Sequence, residues 1–223
     1  RPPSGAAQLK IGEGVRIQLE NQMVVDGPST QFLLEGDINT KGQITLSKGA
    51  QLRVGSQAVL RFQSDASQEV KDDRGEGLIE NEGRIEFHAK STSIRIPFES
   101  VNGELSIISK SATGERVLNL TKSVRIEKGA NLGEKGKIKI ESSSGAPARL
   151  GGEFTGKGII EVNKTEVEIA QDVRVRGPNL VFDEVRSLVF QGGEKRFLKF
   201  ESLDRTEWLL GEVALTFTGP GRL

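Results

Sequence analysis

The chain has 223 residues, of which 35% are hydrophobic and 28% charged, and its 31 basic residues balance 31 acidic residues. A chain with zero formal net charge has no global field that would steer it to a nucleic acid or an anionic membrane, so we expect neither partner. No stretch reaches the roughly 18 consecutive apolar residues that span a bilayer. The absence of cysteine excludes disulfides, thiolate nucleophiles and cysteine-ligated metals, and only one histidine, His88, is available for histidine chemistry.

Five segments repeat one short phrase of glycine, any residue, apolar, polar, apolar. They lie at 42–46, 83–87, 103–107, 136–140 and 158–162. Alternation of apolar and polar residues predicts strands buried on one face, and we interpret each glycine as a tight bend into its strand. We therefore expect one continuous interior lined by the apolar members of the phrases, namely Ile44, Leu46, Ile85, Phe87, Leu105, Ile107, Ile138, Ile140, Ile160 and Val162.

The spacing of the phrases favours a repeat architecture. Their first residues are 41, 20, 33 and 22 positions apart, and fixed periods of this size are typical of solenoids. An antiparallel sandwich would also be all-β, but it favours an aromatic-rich core, whereas this chain has 5% aromatic residues and no tyrosine. The sequence thus predicts an all-β, single-domain parallel β-solenoid, with the sandwich as the alternative.

Asparagines stand at or near the predicted corners, at Asn39, Asn81, Asn102 and Asn163. Asparagine tolerates left-handed backbone, and its side chain can bond its equivalents in neighbouring coils. We therefore expect these residues to form the corners of the solenoid.

The segment 64–77 is polar and shows no apolar alternation. Such a run predicts a loop that projects from the solenoid, and proteolysis would then begin near Lys71 or Arg74. The remaining chain up to residue 181 is expected to form solenoid coils.

Carboxylates in this segment are the candidates for metal binding, because calcium prefers hard oxygen ligands. The weak calcium candidates are Asp65, Asp72 and Asp73, although their spacing does not match an EF-hand and the repeated glycine-aspartate calcium nonapeptide is missing. Asp72 and Asp73 are adjacent in the sequence and are followed by Arg74, so a catalytic site, if the protein has one, would be sought there.

Three further arginines, Arg84, Arg95 and Arg125, occupy polar strand positions on which a solvated outer face is expected. His88 follows Phe87 directly and should point outward. No catalytic, cofactor or firm metal site is predicted.

The phrase Leu78-Ile79-Glu80-Asn81-Glu82-Gly83-Arg84-Ile85-Glu86-Phe87 resembles a coil of the right-handed parallel β-helices of exported bacterial proteins, of the filamentous-haemagglutinin and autotransporter-passenger type. The resemblance extends over residues 9 to 170 at the level of pattern. It implies a right-handed parallel β-helix that is secreted or displayed at the cell surface as a rigid stalk, with a protein or glycan as partner. The absence of cysteine is consistent with export.

The C-terminal segment 182–223 is richer in aromatic residues than the rest. It contains six of the eleven, Phe182, Phe190, Phe197, Phe200, Trp208 and Phe217. A solenoid must cover its last open coil, so this segment is expected to be a cap or thick final coils. An aromatic platform for a sugar or a partner protein is the alternative.

The leading functional hypothesis is a non-catalytic structural or adhesive surface protein. A coil of about 20 residues and a rise of roughly 4.8 Å would give about 11 coils and a rod near 50 Å long. Two alternatives are a polymer that stacks end to end through exposed terminal coils and a polysaccharide-binding or polysaccharide-degrading β-helix. Because the chain begins at Arg1-Pro2-Pro3 without methionine or signal peptide, we expect a mature or excised fragment of a longer protein.

Overall fold

A computed structural model of the chain describes residues 8–28, 30–72, 76–108, 114–183, 185, 187–190, 198–201 and 214–217. Every regular element within these ranges is a β-strand. In the same ranges there is accordingly no helix long and apolar enough to cross a membrane.

The strands form three ladders. Ladder 1 contains β1 (Gln8–Ile11), β4 (Gln31–Leu34), β7 (Gln51–Val54), β10 (Leu78–Asn81), β13 (Phe98–Ser100), β16 (Val124–Ile126), β19 (Ala148–Gly156), β21 (Glu166–Arg176), β23 (Ser187–Phe190) and β25 (Ala214–Phe217). Ladder 2 contains β2 (Arg16–Leu19), β5 (Asp37–Thr40), β8 (Val59–Phe62), β11 (Arg84–Phe87), β14 (Glu104–Ile107), β17 (Gly129–Leu132), the second halves of β19 and β21, and β24 (Leu198–Glu201). Ladder 3 contains β3 (Met23–Asp26), β6 (Ile44–Ser47), β9 (Ser67–Lys71), β12 (Ser91–Ile94), β15 (Arg116–Leu120), β18 (Gly136–Ile140), β20 (Ile159–Asn163) and β22 (Asn179–Asp183).

The chain visits the three ladders in rotation, so that every three strands complete one turn. About eight complete turns are formed, and each strand pairs in parallel with the strand one turn before or after it. An antiparallel sandwich would require antiparallel hairpins, which the described pairings lack. The prediction of an all-β parallel solenoid is confirmed, while the right-handed winding stays a prediction.

The coils are longer and less regular than the sequence suggested. Register partners Gln51 and Leu78 are 27 residues apart, whereas Ile79 and Phe98 are separated by only 19. The expectation of about 11 coils of about 20 residues is therefore wrong. Ladder 1 stacks ten strands in the described ranges, which at roughly 4.8 Å per step spans about 43 Å.

The interior is the continuous apolar column that the glycine phrases predicted. All ten phrase residues expected to face inward are at most 2% exposed. They belong to one core cluster that extends through the solenoid from Val25 to Leu188. Stacking one coil on the next removes these side chains from water and pairs the backbone of both coils at once.

The prediction that 64–77 is a loop is wrong for its centre, which forms β9. This strand pairs on one side with β6 and on the other with β12. Val70 is fully buried, and the other inward position is filled by Gln68, whose amide donates to the backbone oxygens of Thr40 and Gly42 at 3.0 and 3.1 Å. The sequence of β9 does not show the alternation of apolar and polar residues, because the hydrogen-bonded Gln68 occupies an inward position that an apolar residue usually fills.

Four of the five glycines that open the phrases, at positions 42, 83, 103 and 158, are required by close approach between coils. A Cβ atom at Gly42 would lie 1.8 Å from the backbone oxygen of Asn21, and one at Gly158 would lie 2.1 Å from that of Gly136. Neither glycine has a positive φ, so close approach, and not a left-handed backbone, is the reason that these bends need glycine. Corners stacked in successive coils simply leave no room for a side chain.

Asn81 acts differently from the expectation for the corner asparagines. Among the described non-glycine residues, only Lys48 and Lys164 adopt a positive φ. Asn81 is 1% exposed and donates its amide to Ser100 Oγ at 3.0 Å in the next coil. The asparagine therefore bonds a serine, and not an equivalent asparagine, across the coil interface.

The C-terminal strands continue the same architecture. β23, β24 and β25 extend the ladders in parallel, and Phe182 is buried at the end of ladder 3. Phe197 and Trp208 lie outside the described residues, so the aromatic cap and the alternative platform stay predictions.

Candidate functional site

The outer faces of the ladders carry the charged and polar side chains, because alternate strand residues point away from the core. Many of these side chains form ion pairs that connect one coil to the next. Such pairs include Lys10–Glu35, Arg53–Glu82, Arg61–Asp37, Arg61–Glu86, Arg84–Glu104, Arg95–Glu69, Lys137–Glu161, Arg149–Glu168 and Arg176–Glu153. The faces thus present paired charges of mixed sign.

The tightest charged cluster lies on ladder 2 and spans three coils. Arg61 is 3.2 Å from Asp37 in the coil before it and 3.0 Å from Glu86 in the coil after it. His88 Nε2 lies 3.0 Å from the same carboxylate oxygen of Glu86. Burial acts to raise the pKa of Glu86, but the hydrogen bond with His88 and the charge of Arg61 outweigh it and lower the pKa below the usual value.

His88 is therefore less exposed than the sequence suggested. Its side chain is only 11% exposed, beside Glu86 at 12%. The Nδ1 atom of His88 is buried and has no hydrogen-bond partner among the residues that the structure describes. The histidine lies on the outer side of the strand, as expected, but it is packed into the ion-pair cluster.

Glutamates in two other clusters are held by basic neighbours. On ladder 3, a hydrogen bond from Lys137 lowers the pKa of Glu161 despite partial burial. At the corner between ladders 1 and 2, Glu127 is 6% exposed and accepts hydrogen bonds from Arg125 and from Gln171, the latter at 3.0 Å. Its hydrogen bond with Arg125 raises the pKa of the arginine.

The arginines considered for catalysis occupy the solvated outer faces that the sequence predicted for them. Arg84 lies 2.9 Å from Glu104, Arg95 lies 2.8 Å from Glu69, and Arg125 bonds Glu127. Each cation therefore has a carboxylate partner within the solenoid.

The candidate calcium ligands are not brought together by the described structure. Asp65 is exposed on the bend before β9, and Asp72 accepts a hydrogen bond from the backbone N–H of Gly49 at 3.3 Å. Asp73 and Arg74 lie outside the described residues. Within the described ranges, no group of three or more histidine or acidic side chains could hold a metal ion. Calcium binding in the segment stays a prediction.

The grooves between coils are shallow and polar. Glu13, Arg16, Glu35, Asp37 and Gln57 line one of them, at the corner between ladders 1 and 2. Another, beyond ladder 3, is formed by Thr121, Glu141, the serine-rich turn 142–145 and Lys164. In the second groove, the hydroxyl group of Ser143 donates its proton to the backbone oxygen of Thr121 at 2.7 Å, so this donor is already engaged within the chain.

The first coil differs from those that follow it, because its apolar side chains reach solvent. Leu9 is 59% exposed, Val24 56% and Val15 45%. Leu9 nevertheless stands in the inward column, as the register partner of buried Phe32. The alternation of apolar and polar residues in the sequence indicates that Leu9 faces inward. The order of the paired strands adds that no described residue packs on the other side of it.

No protein-family model matches the chain, and no curated protein or solved structure is significantly similar to it. The likeness to exported bacterial β-helices therefore rests on the sequence pattern and on the solenoid architecture alone. That architecture defines the chain as a β-solenoid repeat protein.

Proposed function

We propose that this solenoid is a non-catalytic structural or adhesive protein, a rigid scaffold that mediates attachment or protein–protein contact at a secreted or cell-surface location. The observation that carries the proposal is the solenoid itself, with parallel coils stacked around one shared, largely apolar core. A stack in which every coil buries its neighbour's backbone edges resists local opening and keeps a fixed length.

The outer faces support a role in contact more than a role in turnover. The arginines and glutamates that strand alternation places outward are largely engaged with each other across coils. The described grooves between these faces are shallow, whereas catalytic sites favour concave pockets with convergent polar groups. A protein or glycan would be bound by the long, stiff lateral surface of the rod. Self-association through the terminal coils is part of the same proposal.

Two measurements test this function. Beads coated with the chain are applied to arrays of glycans and to immobilised surface proteins, and saturable binding without chemical change of the bound molecule is expected. In parallel, acidic polysaccharides are incubated with the chain and assayed for reducing ends and unsaturated products. Product release that disappears in the variant Asp72→Ala, Asp73→Ala would overturn the non-catalytic proposal and support the polysaccharide-degrading alternative.

A further inference from the structure

The outer face of ladder 1 carries one line of side chains that runs through eight consecutive strands, from β4 to β23. Register pairing sets its members in the order Leu33, Arg53, Glu80, Glu99, Arg125, Arg149, Glu168 and Val189. Because these residues alternate with buried neighbours such as Leu52 and Ile79, their side chains point away from the core. We call this line the charged column.

The charged column contains two pairs of like charges at neighbouring levels. Glu80 is the register partner of Glu99, and Arg125 is the register partner of Arg149. Like charges directly opposite each other on neighbouring strands are destabilising. A partner that brings the opposite charge to each pair would remove this cost.

The ion pairs within the chain leave these charges accessible. Arg53, Arg125 and Arg149 each have a carboxylate partner, yet their side chains are 39%, 36% and 45% exposed. A guanidinium group has five N–H donors, so it can bond a second carboxylate while it keeps the first. Glu80 is 36% exposed beside Arg53. Glu99 acts on Arg125 through its charge but forms no ion pair with any residue that the structure describes.

The order of charges in the column reverses in sign about its midpoint. From Arg53 to Glu168 the signs are positive, negative, negative, positive, positive and negative, and the half-buried apolar residues Leu33 and Val189 stand at the two ends. The midpoint lies between β13 and β16, which is also the middle of the ten described strands of ladder 1. A second copy with its solenoid axis reversed therefore meets every charge of the column with the opposite charge.

We propose that a second copy of this chain is a partner of the lateral surface, and that two copies associate side by side through ladder 1 with their solenoid axes antiparallel. The two-fold axis runs parallel to the strands, midway between the levels of Glu99 and Arg125. The facing pairs, written with one member from each copy, are Leu33–Val189, Arg53–Glu168, Glu80–Arg149 and Glu99–Arg125, and each occurs twice. Sheets that pack face to face are about 10 Å apart, a gap that arginine and glutamate side chains bridge together.

A parallel arrangement of two copies would place like charges together. A two-fold axis along the solenoid sets every residue of the charged column at the level of its own equivalent, so Glu99 would face Glu99 and Arg125 would face Arg125. Like-charge contacts across an interface cost affinity and suppress the wrong arrangement. The antiparallel arrangement avoids all of these contacts.

The outer face of ladder 2 is less suited to the same symmetry. Its register sets out a shorter series of this kind, in the order Arg16, Asp37, Val59, Arg84 and Glu104. The midpoint of that series lies at β8, and a two-fold axis there would set Arg61 opposite Arg61 of the second copy. Arg61 is moreover only 24% exposed between Asp37 and Glu86. Ladder 1 is therefore the face that fits a second copy.

The size of the patch indicates a weak, reversible dimer. The charged column spans seven steps of roughly 4.8 Å, or about 34 Å, and a strand of four or five residues is about 15 Å long. Such a patch has an area of about 500 Å² on each copy, which is below the roughly 800 Å² of a stable interface and in the range of transient contacts.

This inference rests on the proposed function, in which the lateral surface makes contacts, and it names one partner of that surface. Sedimentation equilibrium of the full chain over a wide concentration range should show a reversible rise in mass from 24.2 kDa to twice that value and no further. Raising the salt concentration from about 50 mM to about 500 mM should weaken the dimer about tenfold, because the contacts are exposed ion pairs. Small-angle scattering should show that the maximum dimension does not double on dimerisation.

A pair of charge reversals tests the facing residues directly. Glu80→Arg places two arginines opposite each other at both Glu80–Arg149 contacts, and Arg149→Glu places two glutamates there. Each variant alone should dimerise at least tenfold more weakly than the wild type. An equal mixture of the two variants should form a heterodimer with affinity restored, since every such contact then joins an arginine to a glutamate.

The matched controls are Glu104→Arg and Arg84→Glu, which make the same exchanges within an ion pair on ladder 2. Both should dimerise like the wild type, and circular dichroism and thermal midpoints check that every variant is folded. The scattering and salt measurements on the unmodified chain decide the proposal even where a charge-reversed variant fails to fold.

Three results would overturn the inference. A chain that is monomeric at every concentration would exclude the side-by-side dimer, while the binding of glycans and other proteins is decided separately by the arrays. A dimer of nearly doubled maximum dimension, or growth beyond two copies, would indicate contacts at the ends of the solenoid. A mixture of Glu80→Arg and Arg149→Glu that associates no better than either variant alone would exclude the stated facing pairs.

Discussion

The rings of Phe62 and Phe87 stack in consecutive coils, with their centroids 5.1 Å apart and their planes inclined by 6°. The two residues are register partners in β8 and β11, and each is 1% exposed. The vertical repeat of the solenoid is thus expressed in its side chains as well as in its backbone. Because the rings are held at nearly the spacing between paired strands, each ring packs directly against the other.

Replacing Phe87 with Ala should lower the free energy of unfolding by about 3–5 kcal/mol, because it leaves a cavity in a core that can relax little. Urea unfolding followed by circular dichroism measures the effect. Ser106→Ala, on the outer face of the neighbouring strand β14, is the matched control and should change stability by less than about 0.5 kcal/mol. An equal effect of the two substitutions would contradict the assignment of Phe87 to the core.

Ile138 lies fully buried in β18, in register between Leu118 and Ile160. Ile138→Asp should abolish folding, since it places an unpaired charge in a core that offers no water. Asn131→Asp, at an exposed position, introduces the same side chain on the outer face and should fold normally. Soluble expression, circular dichroism and thermal melting compare the two, and a normally melting Ile138→Asp variant would show that the inward assignment is wrong.

Gly158→Ala should destabilise the solenoid by about 1–3 kcal/mol, because the added Cβ would overlap the backbone oxygen of Gly136. The matched control is Gly12→Ala, since a Cβ at Gly12 meets nothing within 4 Å and neither glycine needs a positive φ. Gly12→Ala should be neutral or slightly stabilising through the unfolded chain. Thermal unfolding of both variants measures the contrast, and equal melting temperatures would argue against close approach as the reason for the glycine phrases.

Glu86 should contribute a pH-dependent part of the stability. Its pKa is lower in the folded chain than the unfolded value of about 4.3. A carboxyl shifted in this direction stabilises the fold fully above the unfolded pKa and loses that contribution as the pH falls through the folded pKa. Glu86→Gln should therefore lower stability near pH 7 and make the decline below about pH 4 shallower than in the wild type.

Urea midpoints between pH 3 and pH 8 measure this dependence. Glu13→Gln, at an exposed corner position, is the control and should leave the profile close to that of the wild type. Parallel profiles for Glu86→Gln and the wild type would mean that the cluster of Glu86, Arg61 and His88 does not form in solution.

The peptide bond after Lys71 should resist trypsin, in contrast to the sequence-based expectation. Lys71 ends β9, whose backbone is paired on both sides, and Asp72 is held by Gly49. Cleavage after Lys90, exposed at a bend, should be faster. Mass spectrometry of timed digests gives the order, and earlier cleavage after Lys71 than after Lys90 would restore the loop interpretation of this strand.

Periodicity alone was enough to predict the interior, because inward residues such as Ile44 and Ile138 alternate with polar neighbours in every phrase. It failed at β9, where the buried inward place is taken by Gln68. The strand exists because β6 and β12 on either side supply its backbone partners, and this is a property of the stack that a single segment does not reveal.

The number of coils and the ion-pair clusters could not be predicted from the sequence for a related reason. Corner lengths vary, so that the partner of Arg61 in one coil, Asp37, is 24 residues away, and its partner in the next, Glu86, is 25 away. Only the register decides which charges meet. The packing of His88 against Glu86 follows from the same register and could not be read from a lone histidine after a strand.

The unequal coils have a consequence for how such a molecule can vary in length. Ile79, Phe98 and Val124 occupy one column in three successive coils, although 19 residues separate the first pair and 26 the second. Surplus residues are absorbed at the corners, while the column itself is unchanged. Excision of residues 98–123 would consequently bring Val124 onto Ile79 and Ile140 onto Ile94 with their alternation intact. The length of the solenoid can therefore change by one whole coil at a time, while the packing within each remaining coil stays the same.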